Sequence, residues 1–204
     1  MMNFYNDEYY FIDSAALNDM PSLTPNDDTA FRLRRSRENP EGNAPYIFHN
    51  GAIDYQKGTC VTPLADLPNI MVGTNELYFD DLKFEEFMKF NLPNIICHPC
   101  IYIDHKEHWH ENMWHVYVLN KIDCWDRKRS EYDEDSAEET KDGIEYDVNR
   151  YSLDSLVLDN ISLKDRLIFR MGGVTYGGVL VHKSLKNFLT AYGVRFIPIV
   201  DFFG

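Results

Sequence analysis

Apolar and polar positions alternate most clearly near the middle of the chain. Residues 114–123 (Trp-His-Val-Tyr-Val-Leu-Asn-Lys-Ile-Asp) form the longest run of aromatic and β-branched residues. Such a run predicts a central strand buried on at least one face. Residues 95–103 are also apolar, and a polar stretch at 104–112 separates them from the central run, so the two read as a hairpin. Before them, Leu82, Phe84, Phe87, Met88 and Phe90 recur at helical spacing. This predicts a helix over 80–90 that opens at Asp80-Asp81, where carboxylates suit the helix N-terminus, and is broken by Pro93.

Shorter segments complete the pattern. Residues 9–12, 46–48, 71–72, 156–158, 167–171 and 178–181 read as strands, and 13–28 as loop. In 31–37 (Phe-Arg-Leu-Arg-Arg-Ser-Arg) the alternation of Phe31 and Leu33 suggests a strand edge with its arginines outward. That basic face is either a carboxylate-binding site or a solvated surface. Residues 39–43 are a turn cluster, and the Gly172-Gly173 and Gly177-Gly178 pairs are turn glycines. A helix over 184–192, capped by Ser184 and ended by Gly193, precedes a last strand over 194–200 whose Pro198 belongs at an edge or a bulge. The predicted fold is α+β: a mostly antiparallel twisted sheet with two or three helices. Strand, helix, strand occurs twice, with Leu82-Lys83 and Leu185-Lys186 opening the two helices, so a two-lobe pseudo-repeat is expected, with lobes over residues 1–110 and 111–204.

Charge adds a feature that hydropathy does not show. The 204 residues carry a net charge of -13. Nine acidic residues and one lysine fall within 131–147, a net -8 in that segment alone. With no apolar periodicity, the segment is expected to be an exposed mobile loop. So acidic a chain repels phosphate backbones, which argues against nucleic acid; on charge alone the acidity serves either solubility or the recognition of a basic partner. The N-terminus shows no basic and apolar leader pattern, and no run is long enough to span a membrane, so a cytoplasmic chain with reduced thiols is expected.

Candidate chemistry is sparse. Cys97-His98-Pro99-Cys100 has redox spacing, but an apolar strand-like run follows it where a helix N-terminus would be needed to activate a thiol. Cys97, Cys100, His105 and His110 have the spacing C-x2-C-x4-H-x4-H, which suits zinc, and a metal-binding protein or metal-dependent enzyme is the alternative function. A plain hairpin explains the same residues without metal. Phosphate loops, nucleophile elbows and His-Glu-x-x-His are missing from the sequence, so neither an enzymatic activity nor a cofactor is expected.

The stretch from about residue 80 to 200 resembles a bacterial toxin-immunity family, number eleven in the usual naming. The matching positions are Tyr117, Asn120, Asp123, Asp126, Ser130 and Tyr132, then Leu156, Leu158, Ile168-Phe169-Arg170, Val181, Leu185, Phe188, Gly193 and Phe196. The resemblance implies a single immunity-type domain that binds and neutralises a cognate toxin delivered by contact or by a secretion system in competition between bacteria. Combined with the charge, it nominates Glu131, Asp133, Glu134, Asp135, Glu138 and Glu139 as the toxin contact, with a basic, nuclease-like toxin domain as partner.

Overall fold

The computed structural model describes residues 4–35, 44–64 and 66–203. Its described residues form two mixed sheets, a separate two-stranded hairpin and five α-helices. The class is α+β with mostly antiparallel pairing, but the expectation of one sheet with two or three helices is overturned. The extra helices come from segments read as strand or loop.

The first sheet contains β2 (Leu23–Pro25), β3 (Tyr46–Asn50), β4 (Ile70–Val72), β5 (Glu76–Asp80), β6 (Ile95–Ile103) and β7 (Trp109–Val118), in the order β2-β3-β6-β7-β5-β4. The expected hairpin is β6 against β7, in antiparallel register from Ile95↔Val118 to Ile103↔Trp109. The central run does not stay in this sheet. It leaves at Val118 and resumes as β8 (Lys121–Ile122) at the edge of the second sheet, in the order β13-β1-β12-β11-β8. That sheet also contains β1 (Tyr9–Ser14), β11 (Ile168–Met171), β12 (Val179–His182) and β13 (Val194–Pro198). Pro198, which has no N–H to donate, sits on an edge strand.

Helix α3 (Asp81–Met88) starts where its carboxylates predict, with the Asp80 side chain accepting from the Lys83 backbone N–H. Helix α5 (Lys183–Leu189) is capped by His182 rather than Ser184, and it ends before Tyr192. Residues 27–35 are helix α1 (Asp27–Arg35), not a strand edge. Asn26 accepts from the Thr29 N–H, Asp27 and Asp28 occupy the first turn, and Arg32 pairs with Asp28 at 3.7 Å. Phe31 is exposed while Leu33 packs inward, so their apparent alternation is two sides of a helix. Arg32 also donates to the Ala44 carbonyl and lies over the Tyr46 ring, which makes it structural. Arg37 and the 39–43 turn fall outside the described residues. A short helix α2 (Ile53–Gly58) follows β3. Residues 156–158 lie in helix α4 (Ser155–Asp159), where Asp154 accepts from the Leu156 and Val157 N–H groups. A three-residue apolar run has no period of its own, so the cap decides its conformation.

Three apolar layers hold these parts together. Alternation along β1 sends Tyr9 and Phe11 to one face and Ile12 to the other. Phe79, Val116 and Val118 of the first sheet meet Val179 and Val181 of the second, with Phe87 of α3 and Leu185 and Leu189 of α5 in the same layer. The far side of the first sheet buries Tyr46, Phe48, Tyr78, Tyr102 and Met113, against which Leu33 of α1 packs. The far side of the second sheet buries Trp125, Tyr151, Phe169 and Leu180.

The two strand–helix–strand units share a connection. β5 and β6 both run antiparallel to β7, which lies between them. β12 and β13 both run antiparallel to β1, which lies between them. Each helix therefore crosses over one intervening strand. The Leu pair does not correspond, because Leu82 is 76% exposed and Leu185 is fully buried.

Candidate interaction surface

The acidic segment is not a loop. It folds into β9 (Glu131–Thr140) and β10 (Gly143–Arg150), paired antiparallel from Gly143↔Thr140 to Arg150↔Glu131. Lys141 and Asp142 make the turn, closed by the Thr140 hydroxyl donating to the Gly143 carbonyl at 2.9 Å. Gly143 has φ +120, a conformation that side chains resist. Strand β9 carries extra residues between Asp133 and Glu138. There Asp133 accepts from the Asp135 N–H at 2.9 Å, and the Ser136 hydroxyl accepts from the Asp147 N–H at 2.8 Å. Such a bulge increases local twist and re-aims the side chains beyond it.

One face of the hairpin anchors it. Tyr132, Tyr146 and Val148 pack on the outer core of the second sheet. The Trp125 ring meets Tyr132 and Tyr146 edge-on, with centroids 4.9 and 5.9 Å away, and its indole N–H donates to the Gly173 carbonyl at 3.2 Å. At the tip, the Lys121 ammonium meets Glu145 at 2.6 Å and Asp142 at 3.4 Å.

The nominated carboxylates are on the remaining surface. Glu131, Asp133, Glu134, Asp135, Glu138 and Glu139 are all exposed. Glu131 reaches Arg150 at 3.6 Å, an exposed pair of small energetic weight. The basic run just before the hairpin does not turn back to neutralise it. Arg127 forks onto Asp123 with both contacts at 2.6 Å and lies 4.0 Å above the Trp125 ring, and Arg129 pairs with Asp126 at 3.5 Å. The acidic face is thus a fixed field on a folded scaffold.

The Cys/His set does not converge. Cys97 and Cys100 lie three positions apart on β6, so their thiols point to opposite faces of the sheet. Cys97 packs against the layer between the sheets, and Cys100 is buried in the far layer. Burial pushes the two thiols up to about 11 and about 12, away from the thiolate that zinc or redox chemistry requires. The imidazole of His110 faces Asp104 at 3.5 Å. Burial acts to raise the Asp104 carboxyl, but backbone N–H groups of His108 and Lys106 and the two imidazoles outweigh it and hold it at about 2. Asp104 therefore organises the β6–β7 turn. Among the described residues, no group of three or more His, Cys, Asp or Glu side chains is arranged to hold a metal ion.

A cleft behind the hairpin tip escaped the sequence reading as a site. It has a volume of about 650 Å³ and is bordered by Glu76, Tyr117, Lys121 and Arg170. The available signal was a lone charge inside an apolar strand, Arg170 within 167–171 and Glu76 ahead of Leu-Tyr-Phe. No helix among the described residues is long and apolar enough to cross a membrane. The chain matches no known family model, and it matches no curated protein.

Proposed function

We propose that this chain is a cytoplasmic immunity protein without enzymatic activity of its own, which neutralises a cognate toxin by binding it. The observation that carries this reading is the acidic hairpin, with nine carboxylates and one lysine over 131–147 on a folded ribbon fixed to the core by Trp125. The class of partner is inferred from the resemblance over roughly residues 80–200 alone, since no family model matches the chain. A strand pair of this length extends about 30 Å. That span presents its charges in a fixed pattern, which costs less ordering entropy on binding than a mobile loop would. A basic toxin domain, built to hold phosphates, is drawn to such a field and blocked by it.

The test is co-expression with the toxin domain encoded beside the gene, followed by co-purification and rescue of growth. A stable complex with rescue is expected. Replacing Glu131, Glu134, Glu138 and Glu139 with Gln, and Asp133 and Asp135 with Asn, should slow association by about tenfold to a hundredfold and flatten its salt dependence. An unchanged rate constant would remove the hairpin from the interface. Failure of both complex and rescue would end the immunity reading.

A further inference from the structure

The cleft at the crossing from β7 to β8 holds two charges that the fold leaves without opposite charges in contact. Arg170 donates from Nη1 to the Tyr117 hydroxyl at 3.1 Å and from Nη2 to the Leu119 carbonyl at 3.3 Å. Both acceptors are uncharged. Its Nε–H is shielded from solvent and has no acceptor among the described residues. Lys121, directly beside Arg170 in the parallel register, is already held by Glu145 and Asp142. Glu76 stands directly across from Tyr117 on the neighbouring strand, so the two side chains share a face of the first sheet. No described Lys, Arg or His contacts the Glu76 carboxylate. Burial pushes its carboxyl up, against an Asn75 backbone hydrogen bond and the field of Arg170. Both side chains are half-buried, Arg170 with its Nε enclosed, and charges withdrawn from water to this extent are usually paired. Here the cation holds the Tyr117 hydroxyl, the anion stands across from Tyr117 in the register, and both border the same space.

We infer that this cleft is a receptor for a small zwitterion of the amino-acid class, a free amino acid or a short unblocked peptide, with its carboxylate on the Arg170 guanidinium and its ammonium on Glu76. A ligand carrying both charges supplies each group with an opposite charge, its carboxylate meeting the remaining Nη hydrogens of Arg170; a simple anion or cation serves only one. Thr74, Asn75 and Thr175 add polar lining for peptide groups. A volume of about 650 Å³ exceeds the needs of one amino acid and suits two or three residues. This site does not rest on the toxin reading, although the two surfaces meet at the hairpin tip, where Glu145 of the cleft stands across from Glu138.

Titration calorimetry on the isolated full chain tests this with triglycine, N-acetyl-triglycine and triglycine amide. Saturable binding of triglycine is expected, with each blocked form weaker by about tenfold or more, since each leaves one half-buried charge unmatched. Glu76→Gln should weaken triglycine by about tenfold or more and leave N-acetyl-triglycine bound at least as well as on the wild-type chain. Arg170→Lys, which keeps the charge but loses the fork, should weaken triglycine and N-acetyl-triglycine and spare the amide. Thermal melts of both variants confirm folding. Equal binding of blocked and unblocked peptides overturns the inference, as does the absence of heat with triglycine up to about 10 mM on the folded wild-type chain.

Discussion

His115 is fully buried on β7, where Tyr46 and Tyr78 surround it with centroids at 5.4 and 5.3 Å. Neither ring nitrogen has a hydrogen-bond partner among the described residues. Burial, reinforced by His98 directly across the strand pair, lowers its pKa from 6.5 to about 3. The folded state therefore resists a proton that the unfolded chain accepts. Stability is retained above 6.5 and lost as pH falls from there toward about 3, by up to about 1.4 kcal/mol per pH unit. Urea titrations at about pH 7 and about pH 5 should show His115→Phe escaping about 2 kcal/mol of the loss seen in the wild type. At this scale the sequence was legible where a residue acts locally. Asp80 as a cap and Pro198 at an edge were readable because their chemistry concerns their own backbone. His115 was legible only as a member of the central run, since its environment comes from Tyr46 and Phe48, far away in the chain.

The hairpin shows why elements were harder to read. Within 131–150 only Tyr132, Tyr146 and Val148 face the core, and the bulge breaks their spacing. The apolar surface that fixes them is Trp125 and the second sheet, which no window over the segment contains. Trp125→Ala should cost about 3 to 5 kcal/mol and release the hairpin, seen as accelerated amide exchange at Tyr132 and Val148. Helices α1 and α4 were hidden for another reason: neither segment shows an apolar stripe at helical spacing, and what marks each as a helix is its cap, Asn26 or Asp154. Asp154→Ala should lower stability by about 1 kcal/mol in thermal or denaturant unfolding.

Across the whole molecule the helices join the sheets. Phe188 of α5 stacks on Phe87 of α3 at 6.1 Å and meets Phe90 edge-on at 5.0 Å, so one apolar layer serves both sheets. Phe188→Ala should destabilise by about 3 kcal/mol or more. It should do so in one transition, with coincident midpoints from tryptophan fluorescence and far-UV circular dichroism. The insertion of β1 between β12 and β13 has a consequence for synthesis on the ribosome. Every strand of the first sheet lies within residues 23–118 and can pair as soon as that length has emerged. The second sheet cannot, because Tyr9 awaits His182 and Phe11 awaits Ile197. During translation the aromatic ribbon at 9–12 stays without its strand partners until residues 179–198 emerge, and chaperone capture there is expected over that interval.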